Sequence, residues 1–281
     1  PEPYTLIDEI YCLEAGHWLH WQTGRLNQKQ YWQIDFTPDH TISLPEATEK
    51  VRDALINSIK HHFISDVPVG IFLSGGIDST SVVALARQTQ KGQLRTYSIT
   101  FEENEWNEGD IARQIAQNFE TEHTEYQITS TIGRELFPQF LQRIDQPSID
   151  GFNTFCVSQI AHQDGTKVVL SGLGGDELFG GYKTFQKVPQ MVRWGQPLKT
   201  IKPISTTFGK GLATWGQSPQ LKRLGDFLQQ NPTAATAYRS FRGIFSHQEA
   251  WAITQYHLKD FGLTSIEDEV FVPKISQNSN F

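Results

Sequence analysis

Two rhythms of apolar and polar residues run along this chain, and the switching between them predicts its elements. Between residues 44 and 170, short apolar runs alternate with stretches in which apolar residues recur every three or four positions. A short apolar run bounded by helical periodicity reads as a strand buried on both faces. Val69–Leu73 and Val168–Leu170 are such runs, Thr96–Phe101 reads as a strand, and Thr124, Tyr126 and Ile128 alternate as strand residues do. Helices are predicted from Val51, Leu55, Ile59 and Phe63, from Thr80–Gln90 with a stop near Gly92, and from Ile111, Ile115 and Phe119. Two more come from Ile132, Leu136 and Phe140 and from residues 152–162. The first helix opens at Ser43, where Glu46 predicts a capping box and Pro45 suits the first turn. Alternating β and α units predict an α/β fold, a parallel twisted sheet with helices on both faces.

The flanks read differently. Residues 1–36 are β-rich: Gly16–Trp21 and Tyr31–Ile34 flank the turn-prone Thr23-Gly24 and predict a hairpin. Residues 37–43, polar with one proline, read as a linker. Beyond about residue 188 the pattern is helical and irregular, with Trp194, Trp215 and Trp251 scattered through it. The end, Ile275–Phe281, is polar. The opening Pro1-Glu2-Pro3-Tyr4 resembles neither a signal peptide nor a chain start, and is expected to be an internal cut.

Composition narrows the function classes. Lys plus Arg number 24 against 31 for Asp plus Glu, a net charge of −7. With no basic cluster to hold phosphate backbones, a nucleic-acid partner is not expected. No run of about 18 apolar residues is present, so a membrane partner is not expected either. Cys12 and Cys156 are far apart and in no Cys-x-x-Cys, which reads as two reduced thiols in a cytoplasmic protein.

Two glycine-rich strings carry the candidate chemistry. Ser74-Gly75-Gly76-Ile77-Asp78-Ser79 follows an apolar strand and opens a helix. Glycines let the backbone approach closely, and the N–H groups of such a turn point at negative charge. Hydroxyls of Ser74, Ser79 and Thr80 could add donors. Asp78 beside a phosphate makes sense with Mg²⁺ between them. The bland alternative is a tight turn with Asp78 and Ser79 as caps. No Gly-Lys-Ser/Thr follows, so this is not a Walker loop. The second string, Ser171-Gly172-Leu173-Gly174-Gly175-Asp176-Glu177-Leu178-Phe179-Gly180-Gly181-Tyr182, follows the strand Val168–Leu170 and is expected at the same sheet edge. Ligands of parallel sheets bind at that edge. A sharp crossover is its plain structural alternative.

The first string resembles the PP-loop of the nucleotide α-hydrolases, which cut ATP between its α and β phosphates. Residues 67–87 together with Gly174–Tyr182 resemble the synthetase domain of glutamine-hydrolysing asparagine synthetases. Asn107–His123 and Asp145–Asp150 fit the same family, and residues 4–32 resemble the end of its N-terminal glutaminase domain. The likeness is good over residues 4–190 and continues more weakly through Phe241–Phe245. It implies residues 1–36 as a glutaminase-domain remnant and residues 44–281 as an ATP-dependent synthetase domain incomplete at its C-terminus.

The resemblance assigns roles by position. Ser74, Gly75, Gly76, Asp78 and Ser79 would hold the pyrophosphate part of ATP. Leu73 and Ile99 would contact adenosine, and Ser171 and Gly172 would make the second nucleotide contact. Asp78 and Asp176 would be the catalytic acids that hold Mg²⁺. The implied reaction adenylates a carboxylate, aspartate first, and lets ammonia from the glutaminase domain displace AMP; a homodimer stays open. Three departures bear on the acceptor and on completeness. Leu173 stands where the family often has Glu, and Gln146 also replaces a common Glu. The family's later run with a catalytic lysine is absent, as is the glutaminase cysteine, which Cys12 does not match. Competing expectations are therefore a relative that amidates another carboxylate or closes an internal amide, as β-lactam synthetases do, and an inert nucleotide- or partner-binding piece. A tRNA-thiolating PP-loop enzyme fits worse, for want of paired cysteines and a basic surface.

Other residues are read plainly. His61 and His62 sit at a helix end, where a cation complements the dipole. His123 and His162 form no zinc pattern. Lys183 and Lys187 are either solvated or within reach of a phosphate. Glu102, Glu103, Glu105 and Glu108 form an acidic loop.

Overall fold

The computed structural model describes residues 3–35, 37–102, 108–146, 148, 150–247, 249–250 and 252. Expectations placed on Glu103, Glu105, Asn107, Pro147, Trp251 and residues 275–281 lie outside them. The chain divides into two compact units, Pro1–Gly174 and Gly175–Phe281.

The first unit begins with a hairpin, β1 (His17–Gln22) and β2 (Arg25–Gln30). Its register pairs Gln22 with Arg25, so the second strand lies earlier than the expected Tyr31–Ile34. The reason is the turn. Thr23 and Gly24 both take positive φ, 48° and 77°, the two-residue geometry whose twist matches a hairpin. Such a turn starts the return strand at once.

Helix α1 (Leu44–His62) follows. Ser43 caps it by accepting from the Glu46 N–H at 3.4 Å. Only half of the expected box forms, because the Glu46 carboxylate pairs instead with Lys50 at 3.0 Å. At the other end His61 and His62 bond through Nδ1 to the carbonyls of Asn57 and Ser58, both at 2.8 Å.

Then comes the β/α alternation: β3 (Val69–Phe72), α2 (Ile77–Thr89), β4 (Arg95–Phe101), α3 (Gly109–Asn118), β5 (Glu122–Ile128), α4 (Ser130–Arg143), α5 (Gly151–Gln163) and β6 (Val168–Leu170). The sheet runs β5-β4-β3-β6, with every pair parallel. Strand side chains alternate faces, and each face has its own core. Ile71 and Leu73 pack with Ile59 of α1, Val83 and Ala86 of α2, and Ala112 and Ala116 of α3. Tyr97 packs with Ile160 and Ala161 of α5, flanked by Phe72, Ile99 and Val169. Helices cover both faces, as the alternation predicts. Strand β3 is thus apolar on both sides, which is why it reads as a run, whereas β4 buries Thr96, Ser98 and Thr100 on one face.

Buried polar groups are satisfied within this sheet. Tyr97 is fully buried, and its hydroxyl donates to Asp164 at 2.6 Å and shares a 2.6 Å contact with Thr166. Thr96 bonds His123 Nδ1 at 2.9 Å. Burial holds the His123 imidazole below the usual histidine range, so its neutral form suits the site.

The second unit is helical: α6 (Gly175–Phe179), α7 (Thr184–Gly195), a 3₁₀ turn at Gln196–Lys199, α8 (Lys202–Trp215), α9 (Pro219–Gln229) and α10 (Ala234–Arg242). Helices α8 and α9 cross closely because Gly209 and Gly225 remove side chains there; a Cβ on Gly209 would lie 2.7 Å from the Gly225 carbonyl oxygen. Both cysteines are free. Among the described residues no helix is long and apolar enough to cross a membrane.

Candidate active site

Three strands of the parallel sheet deliver the candidate residues to one edge. Register places Phe72 opposite Tyr97 and Ile71 opposite Leu170. The chain therefore leaves β3 at Leu73 and β6 at Ser171 side by side, with Ile99 near the end of β4. This is the carboxyl edge, where parallel sheets bind ligands.

At the end of β3 the chain turns through Gly75 at φ 84°, a conformation few side chains tolerate. A Cβ on Gly75 would also press on Ile111 at 3.2 Å. Gly76 is the N-cap of α2, and no side chain caps that helix. The helix begins at Ile77, three residues before the expected Thr80. Its first backbone bond runs from Thr80 N to Gly76 O at 3.0 Å. By the geometry of any helix start, the N–H groups of Ile77, Asp78 and Ser79 have no intrahelical acceptor. They form a concave donor set at the positive end of the α2 dipole.

The hydroxyls brace this loop. Ser79 is buried at 6% exposure; its Oγ accepts from the Ser74 N–H at 3.3 Å, lies 3.1 Å from Ser74 Oγ and donates to Gly76 O at 3.1 Å. Thr80 Oγ1 donates to Gly76 O at 2.7 Å. These two groups, expected as ligand donors, are committed to the turn itself. Of the three hydroxyl residues only Ser74 is exposed, while Asp78 is half-buried in the first turn of α2. The Leu73 side chain is 1% exposed and belongs to the core, so a ligand would meet its backbone. Its N–H already donates to Tyr97 O at 2.8 Å.

The second loop reaches this turn. A Cβ on Gly172 would lie 2.7 Å from Ser79 N, 2.9 Å from Asp78 C and 3.0 Å from Asp78 Cβ. Only glycine lets the 171–174 backbone rest on the start of α2. The serine that opens this second loop, Ser171, is exposed, and its Oγ accepts from the Leu173 N–H at 3.2 Å. Hence Leu73, Ser74, Gly75, Gly76, Asp78, Ser79, Ile99, Ser171 and Gly172 share one edge of the first unit.

Asp176 lies in the second unit, in α6, half-buried and with its carboxylate against Gly181. Close by in that unit, Tyr182 donates to Glu177 at 3.1 Å and carries the Arg242 guanidinium 5.8 Å above its ring. Lys183 and Lys187 are exposed there.

Two contributors escaped the sequence reading. Ile111 and the Glu108 carbonyl, at the start of α3, wall Gly75. Arg113 of the same helix grips Glu125 of β5 at 2.6 and 2.8 Å and also pairs with Asp110. The grip on Glu125 joins a helix to the next strand, so no helix-face pattern signals it.

The family model described as Asparagine synthase matches residues 50–263. The chain belongs to the asparagine synthase family. Among its relatives, "Asparagine synthetase [glutamine-hydrolyzing] 1" of Bacillus subtilis is 34% identical over 190 residues, 66% of this chain and 30% of that protein. "Amidase chry2" of Gibberella zeae is 27% identical over 202 residues, 65% of this chain and 30% of that one. This chain spans 30–40% of the length of such curated relatives. The NH3-dependent NAD synthetase from Campylobacter jejuni aligns with a TM-score of 0.33 at 16% identity over 51% of this chain and 63% of that one; at that score the likeness decides nothing.

Proposed function

We propose that this chain is the ATP-using part of an amide-forming ligase, which adenylates a carboxylate so that ammonia can displace AMP. The observation that carries this reading is the seat of Gly172 on Asp78 and Ser79, which joins two glycine turns around one set of free N–H donors. Such a donor set suits the phosphates of ATP. The substrate carboxylate oxygen attacks the α-phosphorus, forming a C–O–P bond while the bond to the β-phosphate oxygen breaks and pyrophosphate leaves. Ammonia nitrogen then attacks the acyl carbon, the C–O bond to AMP breaks, and the nitrogen loses one proton to solvent or a nearby base. The N–H groups of Ile77, Asp78 and Ser79 would steady negative charge as it grows on the departing pyrophosphate.

A divalent cation would be held at Asp78, with Asp176 assigned to the same role on the resemblance alone. Among the described residues no three His, Cys, Asp or Glu side chains gather as a metal centre. A cation here would therefore complete its shell with phosphate oxygens, the usual habit of Mg²⁺. When bound it supplies charge neutralisation.

Aspartate is the acceptor suggested by the name of the Bacillus subtilis relative, with glutamine as the ammonia source. Leu173 favours a second reading, another carboxylic acid, since leucine can neither bind an ammonium nor accept a proton; the relative named an amidase is compatible with it. The test is ATP–pyrophosphate exchange with Mg²⁺ and a panel of acids, in the wild type and in Asp78→Asn. Acid-dependent exchange that drops at least a hundredfold in Asp78→Asn is the expected result. Undiminished exchange in the variant refutes the role of Asp78, and exchange with no acid refutes the reading.

A further inference from the structure

We propose that Arg113 is a positioning residue for the ATP site: its clasp on Glu125 holds the start of α3 against Gly75 and so fixes the phosphate turn. This role rests on the adenylating function proposed above and deepens it.

Gly75 turns at φ 84° between β3 and α2, and glycine has more backbone freedom to lose than any other residue. What confines it here comes from α3. Ile111 Cβ and Cγ2 lie 3.2 Å, and the Glu108 carbonyl oxygen 3.4 Å, from where a Gly75 Cβ would sit. The core holds α3 through Ala112 and Ala116, while Ile111 is 52% exposed. Glu108, the N-cap residue, makes no side-chain capping bond. A rotation of α3 about its alanine seam would therefore carry Ile111 off Gly75.

Arg113 opposes that rotation. Its Nη1 donates to both Glu125 carboxylate oxygens, at 2.6 and 2.8 Å, and its Nη2 pairs with Asp110 in the first turn of the same helix. Glu125 belongs to β5, where the register sets it opposite Ser98 of β4. The start of α3 is thereby tied to the sheet, and the planar guanidinium fixes direction as well as distance. A half-exposed ion pair contributes little to global stability, so the consequence of this one is local. Releasing it leaves the sheet in place, including Leu73, whose N–H donates to Tyr97 O at 2.8 Å. It frees the Gly75 turn, and ordering that turn again becomes part of the cost of binding phosphates. The adenosine seat assigned to Leu73 and Ile99 is untouched.

Calorimetry on this chain with ATP and with adenosine tests the role in Arg113→Ala and Glu125→Gln, alongside amide hydrogen exchange. ATP affinity is expected to fall about three- to tenfold in each variant, with adenosine affinity within about twofold of wild type. Exchange over residues 75–79 should quicken. The double variant should bind ATP no more weakly than Arg113→Ala, because both changes break one clasp. Glu125→Gln separates clasp from charge, since losing a negative charge would by electrostatics alone tighten the binding of a polyanion. Unchanged or tighter ATP binding in Glu125→Gln overturns the role. Equal losses for ATP and adenosine overturn it as well, because they mark a general loss of structure. Unchanged exchange over residues 75–79 in Arg113→Ala overturns it without any ligand, leaving the adenylating function intact. If the wild type binds no ATP, the adenylating function falls and this role falls with it.

Discussion

Adding one methyl group at Gly172 should uncouple the two loops. The Cβ of Gly172→Ala would sit 2.7 Å from Ser79 N, 2.9 Å from Asp78 C and 3.0 Å from Asp78 Cβ. Two of those three atoms are helix backbone and cannot swing aside as a flexible side-chain tip could. Either α2 or the 171–174 loop must move. Overpacking of this kind costs about 1–3 kcal/mol. If the strain is relieved by unseating the loop, ATP affinity falls by the same free energy, about 5- to 150-fold. If it is retained in the fold, the melting temperature falls by about 2–4 °C for each kcal/mol. Calorimetric titration with ATP and a thermal melt of the same sample separate the two. Gly92→Ala is the control, since Gly92 has no atom within 4 Å of its would-be Cβ. Wild-type affinity together with a wild-type melt in Gly172→Ala would refute the convergence of the loops.

Three further outcomes are expected. Ser79→Ala removes the acceptor of the Ser74 N–H and the donor to Gly76 O in a buried position; it should cost about 1–3 kcal/mol in denaturant titration and weaken ATP binding. His123 sits below its ordinary range because of burial. Since the unfolded state takes up the proton first as pH falls, stability is full above about 6.5 and declines as pH drops from there toward the folded value. Denaturation midpoints at pH 7.5 and 5.5 should show this loss, and His123→Gln should reduce it. Burial pushes the Cys156 thiol up to about 11, so at pH 8 a maleimide should label half-buried Cys12 while native Cys156 stays unlabelled until denaturant is added; prompt double labelling, read by mass, would contradict this.

Much of the fold is legible because its signals are local. A short apolar run marks a buried strand, and Val69–Phe72 and Val168–Leu170 declare themselves that way, while Arg95–Phe101 shows itself by alternation, with Thr96, Ser98 and Thr100 on one face. Cap chemistry marks the start of α1 at Ser43. The structure departs from the sequence reading where a particular torsion or a neighbour in space decides. The hairpin register follows from φ at Thr23 and Gly24, which places the return strand at Arg25. The Glu46 side chain chooses Lys50 over its cap. Thr80 and Ser79 hydroxyls are open to a ligand on paper, yet they close the turn on Gly76.

The glycine strings, the order of strands and helices, and family membership of the kind they imply are properties of the sequence itself. They rest on residue types and spacings that bias the backbone before any long-range contact forms. What only the tertiary structure decided is that Gly172 meets Asp78 and Ser79, that Leu73 turns into the core while Leu173 turns out, and that Ile111 walls Gly75. Those facts depend on which strands pair and at what register, because strand pairing brings residues about a hundred positions apart within van der Waals reach.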